Sequence, residues 1–546
     1  MAYFLAVLSC WLLISAATAL RPGRKGIFAA LAYPVGWAAG ELPAQAVALQ
    51  AGLLVLLWWW GWPTTHWLSV LVGILAGIVF AENFFLILIS LYSVRLVRRQ
   101  MAAAEILPLD IPRIRDDQFG SWWRTALQIP YHPRHMQLYK NIPYGPHHRN
   151  RLDVWRTSIT PKGAPVLFYV HGGSWVFGDK REQGRPMMHE FVARGWICVS
   201  LNYRLAPKDL MPSQVQDVTR ALGWLKQNIA AYGGDPDKIV ISGGSAGGHL
   251  AALVALLQND PTHRPPEMRD VTDWSVRGAI PFYGVLEMTG DESYWHGLGK
   301  GLRFLLEKTV VKRSYDEEPA FFESISPLHQ IHLGAPPFLV VQGGNDTLVD
   351  VNVARGFVEQ FRQRALAPVY YVELPFTQHA FDVTASPRTS ATTRAAVAFA
   401  ESVVKGKPSL SVDLIGAYQV PPTQLQLEDS EGKWRAPVEL AEEYGVLYVV
   451  TPDNPFSQLM SGEENLRRRG FVEHQLNERG ISFLRSRASD PHSEWPDECG
   501  FALTGSTLDF ALHLGGAWNQ NAIYEINLDG VKVRSVQSGE VLVPVQ

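Results

Sequence analysis

Cysteine is scarce: Cys10, Cys198 and Cys499 are the only three in 546 residues, too few and too scattered for a disulfide framework or a zinc site. A basic excess is missing too. Lys and Arg number 49 against 52 Asp and Glu, a net charge of −3 that offers nucleic acid no field to follow. No acidic tail, internal repeat or low-complexity tract stands out, and no spacing of His, Cys, Asp or Glu fits a metal motif. Neither a metal nor a cofactor is expected. The chain has length enough for two or more domains and a large core.

One stretch organises the rest. Ile239-Val240-Ile241-Ser242 is a β-branched run that ends in Gly243-Gly244-Ser245-Ala246-Gly247-Gly248, and an Ala- and Leu-rich helical segment follows at once. Strand, sharp turn and helix with G-x-S-x-G at the bend is a nucleophile elbow, which lifts a serine Oγ clear of a sheet. Gly243 and Gly247 are small because bulk at so tight a bend would strike the neighbouring strand or helix. A phosphate-cradling loop is the competing reading, but no lysine follows the glycines as a P-loop needs. Ser245 is the candidate nucleophile.

Upstream, the apolar run 164–170 suits a strand buried on both faces, and it ends in His171-Gly172-Gly173-Ser174-Trp175. Glycines there let backbone N–H groups converge on one spot, where an acyl-transfer enzyme holds a developing oxyanion. Helix-like segments at 186–194 and 212–229 alternate with the apolar run 196–203, which argues a mostly parallel sheet covered on both sides. Downstream, a strand near 337–342 delivers Gly343-Gly344-Asn345-Asp346, and one near 369–374 delivers Gln378-His379. Serine, acid and imidazole thus follow successive strands in the chain order of α/β-hydrolase triads. In that arrangement His379 takes the serine proton and Asp346 fixes its tautomer. An aromatic-rich insertion, 284–332, offers Trp295, Leu302, Phe304, Phe321 and Phe322 either as an acyl pocket or as a small core of its own.

His171-Gly-Gly, Tyr203-Arg-Leu-Ala-Pro, Gly243-Gly-Ser-Ala-Gly-Gly, Gly343-Gly-Asn-Asp and Gln378-His379-Ala-Phe resemble the marker motifs of the hormone-sensitive-lipase-like branch of the α/β-hydrolases. The likeness covers residues 136–405 and implies a serine carboxylesterase or lipase with Ser245, Asp346 and His379 as triad. It further implies oxyanion donors at the N–H groups of Gly173, Ser174 and Ala246, with Gly172 in the same turn. Ser174 stands where the family has a third glycine, and Gly244 where it usually has an acid. Asp217 aligns with an acid that the family keeps for structure. The same triad also serves an amidase or deacetylase, and a hydrolase-fold scaffold is the alternative of a different class.

The first hundred residues differ in composition. Apolar runs at 3–20, 45–62 and 67–92 are each long enough to cross a hydrocarbon core, so three transmembrane helices are expected. The piece 28–42, interrupted by Pro34, Gly36, Gly40 and Glu41, reads as interfacial or re-entrant. Arg21, Arg24 and Lys25, then Arg95, Arg98 and Arg99, mark the cytoplasmic side by the positive-inside rule, which gives a multi-pass protein with its catalytic domain in the cytoplasm. A cleaved signal peptide lacks its positive n-region here. Glu82 and Asn83, mid-run, call for protonation or pairing within the bundle. Residues 101–135, with Trp122 and Trp123, read as a juxtamembrane linker or cap.

After Lys405-Gly-Lys-Pro-Ser the character changes to short strands and a charged helix near 463–479. Residues 406–546 resemble a small bacterial domain family of unknown function, through Thr451-Pro-Asp-Asn-Pro, His492-Ser-Glu-Trp and Ala517-Trp-Asn-Gln. Glu464, Asn465, His492, Glu494, Trp495 and Gln520 are candidates for a pocket or for a satisfied polar network. The expected architecture is therefore α/β: transmembrane helices in 1–100, an α/β-hydrolase sheet flanked by helices in 136–405, and a small α+β domain. The expected activity is hydrolysis of a small-molecule or lipid ester at a membrane. The partner of the last domain is not readable.

Overall fold

The computed structural model describes residues 14, 18, 20, 27–59, 67–103, 135–257, 264–265, 274–332, 335–365, 367–404, 424–454, 461–478, 480–489, 497–518, 520, 522–536 and 541–545. The chain divides into two compact units, Met1–Val404 and Lys405–Gln546. The juxtamembrane stretch 104–134, with both its tryptophans, lies outside the described residues.

In the first unit an eight-stranded sheet runs in the order β1-β2-β4-β3-β5-β6-β7-β8. Its strands are β1 (Met136–Pro143), β2 (Arg151–Thr157), β3 (Ala164–Val170), β4 (Ile197–Asn202), β5 (Gly234–Gly244), β6 (Gly278–Phe282), β7 (Phe338–Gly343) and β8 (Val369–Leu374). β1 and β2 pair antiparallel, as do β2 and β4, and from β4 through β8 every pairing is parallel. Strand alternation sends successive side chains to opposite faces, so even the continuous apolar runs divide between two cores. Val166, Phe168 and Val170 pack with Ser213–Asn228 and Ala246–Leu256. Leu167 and Tyr169 pack with Arg185–Ala193 and Pro387–Val404 on the other face. The insertion after β6 adds Trp295, Leu302 and Phe322 to the first core, with Phe321 packed against it, whereas Phe304 is 67% exposed and outside that core.

Among the described residues, three helices precede the sheet: α1 (Ile27–Glu41), α2 (Pro43–Trp59) and α3 (Trp67–Ala103). Of the three crossings and multi-pass anchor expected, the described residues support one, or two if a bent helix pair forms a single span. Among the described residues, only Gly73–Met101 is by itself long and apolar enough to cross a membrane, while Ala32–Glu41 and Pro43–Leu56 pass that test only as a pair bent by 81°. The run 3–20 lies outside the described residues apart from 14, 18 and 20. Pro34 and the glycines do not break α1, which is continuous.

The end of α3 belongs to the hydrolase unit. Val97 and Met101 sit in the second core, and Gln100 Nε2 donates to the Glu373 carbonyl of β8 at 2.9 Å. Residues Val79, Asn83, Leu86, Ser90, Ser93, Val97 and Met101 are buried, a stripe at helical spacing, and Asn83 Nδ2 satisfies itself on the Val79 carbonyl at 2.8 Å. Glu82 Oε2 is buried with no hydrogen-bond partner among the described residues.

The second unit is an antiparallel eight-stranded sheet, ordered β10-β9-β12-β13-β11-β14-β15-β16 (β9 Gln424–Glu428, β10 Trp434–Arg435, β11 Leu447–Val450, β12 Phe483–Ser489, β13 Glu498–Leu503, β14 Ala522–Asn527, β15 Gly530–Ser535, β16 Val541–Val545). Helices Pro437–Tyr444, Gly462–Glu478 and Leu508–Ala517 accompany it.

Candidate active site

Ser245 stands between the end of β5 and the helix Ala246–Leu256, with φ 56° and ψ −122°. A non-glycine residue holds such a conformation only where its surroundings over-determine it. They do so here by close packing. A Cβ on Gly247 would lie 2.1 Å from the Val170 carbonyl oxygen, and one on Gly243 would lie 2.5 Å from the Gly247 backbone. The turn after β3 abuts the same bend: a Cβ on Gly172 would come within 2.6 Å of the Gly244 carbonyl oxygen and 3.2 Å of Ser245 Cβ. Gly173, Ser174 and Trp175 all take positive φ, at 120°, 50° and 61°.

Two side chains hold that strained turn. Trp175 Nε1 donates to His249 Nδ1 at 3.1 Å, and His249 Nε2 faces the Ile325 carbonyl at 2.8 Å, which fixes a neutral imidazole protonated on Nε2. Burial pushes His249 down to about 4. His171 stacks on Tyr203 with ring centroids 4.4 Å apart, and burial pushes it also to about 4. Behind them the buried Asp217 accepts from Arg204 N, Nε and Nη2 and from Arg220 Nη1, and so anchors the loop that follows β4.

Asp346 follows β7 and His379 follows β8. Their side chains meet, with His379 Nδ1 2.7 Å from Asp346 Oδ2, and both are buried. Asp346 Oδ1 accepts from the N–H groups of Leu348 and Val349, each at 2.9 Å, and Gln342 Nε2 donates to Oδ2 at 3.1 Å. Gln378 Oε1 takes the N–H of His379 at 3.0 Å and that of Thr347 at 2.8 Å, pinning the two loops together. A carboxylate so supplied with donors is held in place to orient an imidazole, leaving Nε2 to handle a proton.

Several residues at the site carry no legible mark in the sequence. Tyr283, after β6, places its ring 4.6 Å from that of His379, and its hydroxyl donates to Asp382. A Cβ on Gly244 would lie 2.7 Å from that hydroxyl, so Tyr283 occupies the space in which an acidic side chain at 244 would have to stand. Burial holds the Asp382 carboxyl above the usual carboxylate range. The first helix reaches the same place: Tyr33 meets the His379 ring edge-on at 6.0 Å, and Trp37 Nε1 donates to the Ala380 carbonyl at 3.0 Å.

In the second unit Asn465 Nδ2 donates to Asn454 Oδ1 at 2.9 Å, Asn465 Oδ1 accepts from Asn454 N at 3.1 Å, and Gln520 Nε2 donates to the Asp453 carbonyl at 2.8 Å. These two candidates thus knit the Thr451-Pro-Asp-Asn loop through their side-chain amides. Asp453, which sequence reasoning passed over, is raised to about 6 by burial. His492, Glu494 and Trp495 lie outside the described residues, and nothing is described of the Glu464 side chain.

A mostly parallel eight-stranded sheet, helices on both faces, a strand-turn-helix serine after β5 and a buried carboxylate–imidazole pair after β7 and β8 together define an α/β-hydrolase. The BD-FAE family matches residues 152–361, and DUF3293, a protein family of unknown function, matches 450–523. The probable carboxylic ester hydrolase LipM of Mycobacterium tuberculosis is 39% identical over 402 residues, covering 70% of this chain and 90% of LipM. The esterase LipQ of the same organism is 42% identical over 269 residues, 48% of this chain and 62% of LipQ. The arylacetamide deacetylase of Bos taurus is 47% identical over 100 residues, 17% of this chain and 25% of that protein. The chain belongs to the carboxylic ester hydrolases of the α/β-hydrolase fold, the family of LipM, and is an esterase carrying a DUF3293 domain after its catalytic unit.

Proposed function

We propose that the protein is a membrane-anchored serine ester hydrolase of the hormone-sensitive-lipase-like branch, acting through an acyl-enzyme on Ser245. The observation that carries this reading is the 2.7 Å contact between His379 and Asp346, with Tyr283 packed both on the His379 ring and against Gly244, the residue before Ser245. Ser245 Oγ attacks the ester carbonyl while His379 Nε2 takes its proton; Asp346 stabilises the imidazolium. The oxyanion of the tetrahedral intermediate is held by the N–H groups of Gly173, Ser174 and Ala246. Collapse expels the alcohol, which receives the proton from His379. A water activated by the same imidazole then releases the acid and restores the serine.

The anchor is α3, whose apolar length suffices and of whose most apolar window only 28% is buried, far less than in the core helix of a soluble protein. Arg95, Arg98 and Arg99 at its sheet-side end put the catalytic unit in the cytoplasm by the positive-inside rule. Likeness to an arylacetamide deacetylase over a hundred residues favours a second reading, cleavage of an amide by the same groups. A fluorophosphonate probe tests the nucleophile. The wild type should label and Ser245→Ala should not, and equal labelling of both would overturn the assignment. Matched ester and amide substrates then separate the two activities.

A further inference from the structure

We infer that α1 lies in the plane of the bilayer surface as the membrane-side wall of the active site, so that the ester taken is a membrane-resident lipid. This rests on the reading of Ser245 as nucleophile and α3 as anchor.

Three observations carry it. First, the apolar helices divide into an outer and a docked part. Leu49, Leu54, Val55, Leu56 and Trp59 on α2 are exposed, as are Trp67, Val70, Leu71, Ile74, Ile78, Phe80, Phe84 and Phe85 on α3. Gln50 Nε2 donates to the Ala76 carbonyl at 2.7 Å, which ties the two helices side by side. The exposed apolar face of α3 continues through Leu88, Leu91 and Tyr92, and from Trp67 to Tyr92 a helix rises roughly 38 Å, enough to cross a hydrocarbon core with some tilt. Trp59 and Trp67, 74% and 70% exposed, stand at the far end, where interfacial tryptophans belong.

Second, the sheet-side third of that apolar stretch touches the loop that bears the catalytic imidazole. Phe85 meets Phe376 edge-on at 5.7 Å, and Leu86 and Ala39 pack on the same ring, three residues before His379. The imidazole therefore sits beside the last third of the apolar face of α3.

Third, α1 turns away from α2 by 81°, so that if α2 follows the bilayer normal α1 runs along the surface. It is fixed there by a buried ion pair, Arg388 Nη1 to Glu41 Oε1 at 2.8 Å, and by Arg388 Nη1 donating to the Gly40 carbonyl at 2.6 Å. Tyr33 and Trp37 then stand between His379 and the acyl region of the membrane. An ester whose chain stays partly in the bilayer reaches this wall without passing through water, and its chain packs on the Tyr33 and Trp37 rings.

The test uses the full chain reconstituted in phosphatidylcholine vesicles holding a long-acyl diglyceride, with p-nitrophenyl butyrate as the water-soluble ester. At constant bulk diglyceride, diluting it tenfold with phosphatidylcholine should lower its initial hydrolysis about tenfold below saturation. Tyr33→Ala and Trp37→Ala should raise KM for the diglyceride at least tenfold more than KM for the butyrate. A rate that ignores mole fraction, or variants that lose both substrates equally, would overturn the inference. So would hydrolysis of the butyrate without hydrolysis of the diglyceride, leaving the esterase reading intact. Failure on both esters together with no fluorophosphonate label on Ser245 would overturn the esterase reading, and this inference with it.

Discussion

Replacing Gly172 by alanine inserts a carbon 2.6 Å from the Gly244 carbonyl oxygen, 2.9 Å from Gln183 Oε1 and 3.2 Å from Ser245 Cβ. Ordinary contact begins near 3.4 Å, so against the Gly244 backbone, which has no rotamer to escape into, the two turns must part by about 0.8 Å (3.4 − 2.6). Gly172 N also donates to Gln183 Oε1 at 2.8 Å, so the side chain that could yield is itself engaged. Overpacking of this kind costs about 1–3 kcal/mol of stability. The larger effect falls on catalysis. Displacing oxyanion donors by near 1 Å costs on the order of 10²-fold in rate, comparable to losing one donor outright. The donors act on the transition state more than on bound substrate, so kcat should fall about a hundredfold with KM little changed. Steady-state kinetics on p-nitrophenyl butyrate, with a thermal melt to show that the protein is folded, measure both. A folded Gly172→Ala protein retaining more than half of wild-type kcat would refute the idea that the contact between these turns sets the oxyanion geometry.

Stability should fall in acid for a stated reason. His171 and His249 are held down to about 4 from an ordinary value near 6.5. Between those values the unfolded chain binds more protons than the folded one, so stability is present above pH 6.5 and is lost as pH falls towards 4. Each histidine contributes roughly 3 kcal/mol to that loss. Asp382, raised by burial, acts with the opposite sign, its contribution being lost as pH rises through its folded value. Urea midpoints measured from pH 7 to 4 should show the decline, and His249→Gln should flatten it by up to about 1.4 kcal/mol per pH unit; an unchanged slope would contradict the assignment. Glu41→Gln should cost about 3–5 kcal/mol by leaving Arg388 buried without its counter-charge, whereas Glu41→Met with Arg388→Met should recover most of it. Equal losses in single and double variants, read by denaturation in detergent, would show that the pair does not hold α1.

Much of the catalytic unit was legible along the chain because its signals are local. A β-branched run followed by Gly-x-Ser-x-Gly reports a strand and a bend through sterics that act within ten residues, and the aliphatic runs 164–170 and 369–374 report strands through burial on both faces. Strand and helix alternation then limits the sheet to a few topologies. The apolar helices were legible only as apolar: hydropathy measures length and composition, and of the runs it marked, among the described residues one helix passes alone and a bent pair passes together. It is blind to packing, so it could not foresee that the last turns of α3 complete a soluble core.

By itself, then, the sequence determined the order of elements, the sharp turn at Ser245 and the strand ends at which an acid and an imidazole stand, because each depends on neighbours a few residues away. Only the tertiary structure decided that Tyr283 fills the room above Gly244 and that Asp382 takes its hydroxyl 99 residues along the chain. It alone laid Tyr33 against His379 and closed Glu41 on Arg388, 347 residues apart. The reason is physical: such contacts are selected by the shape and charge left over once the sheet has closed, and no periodicity or motif records what that remaining space requires.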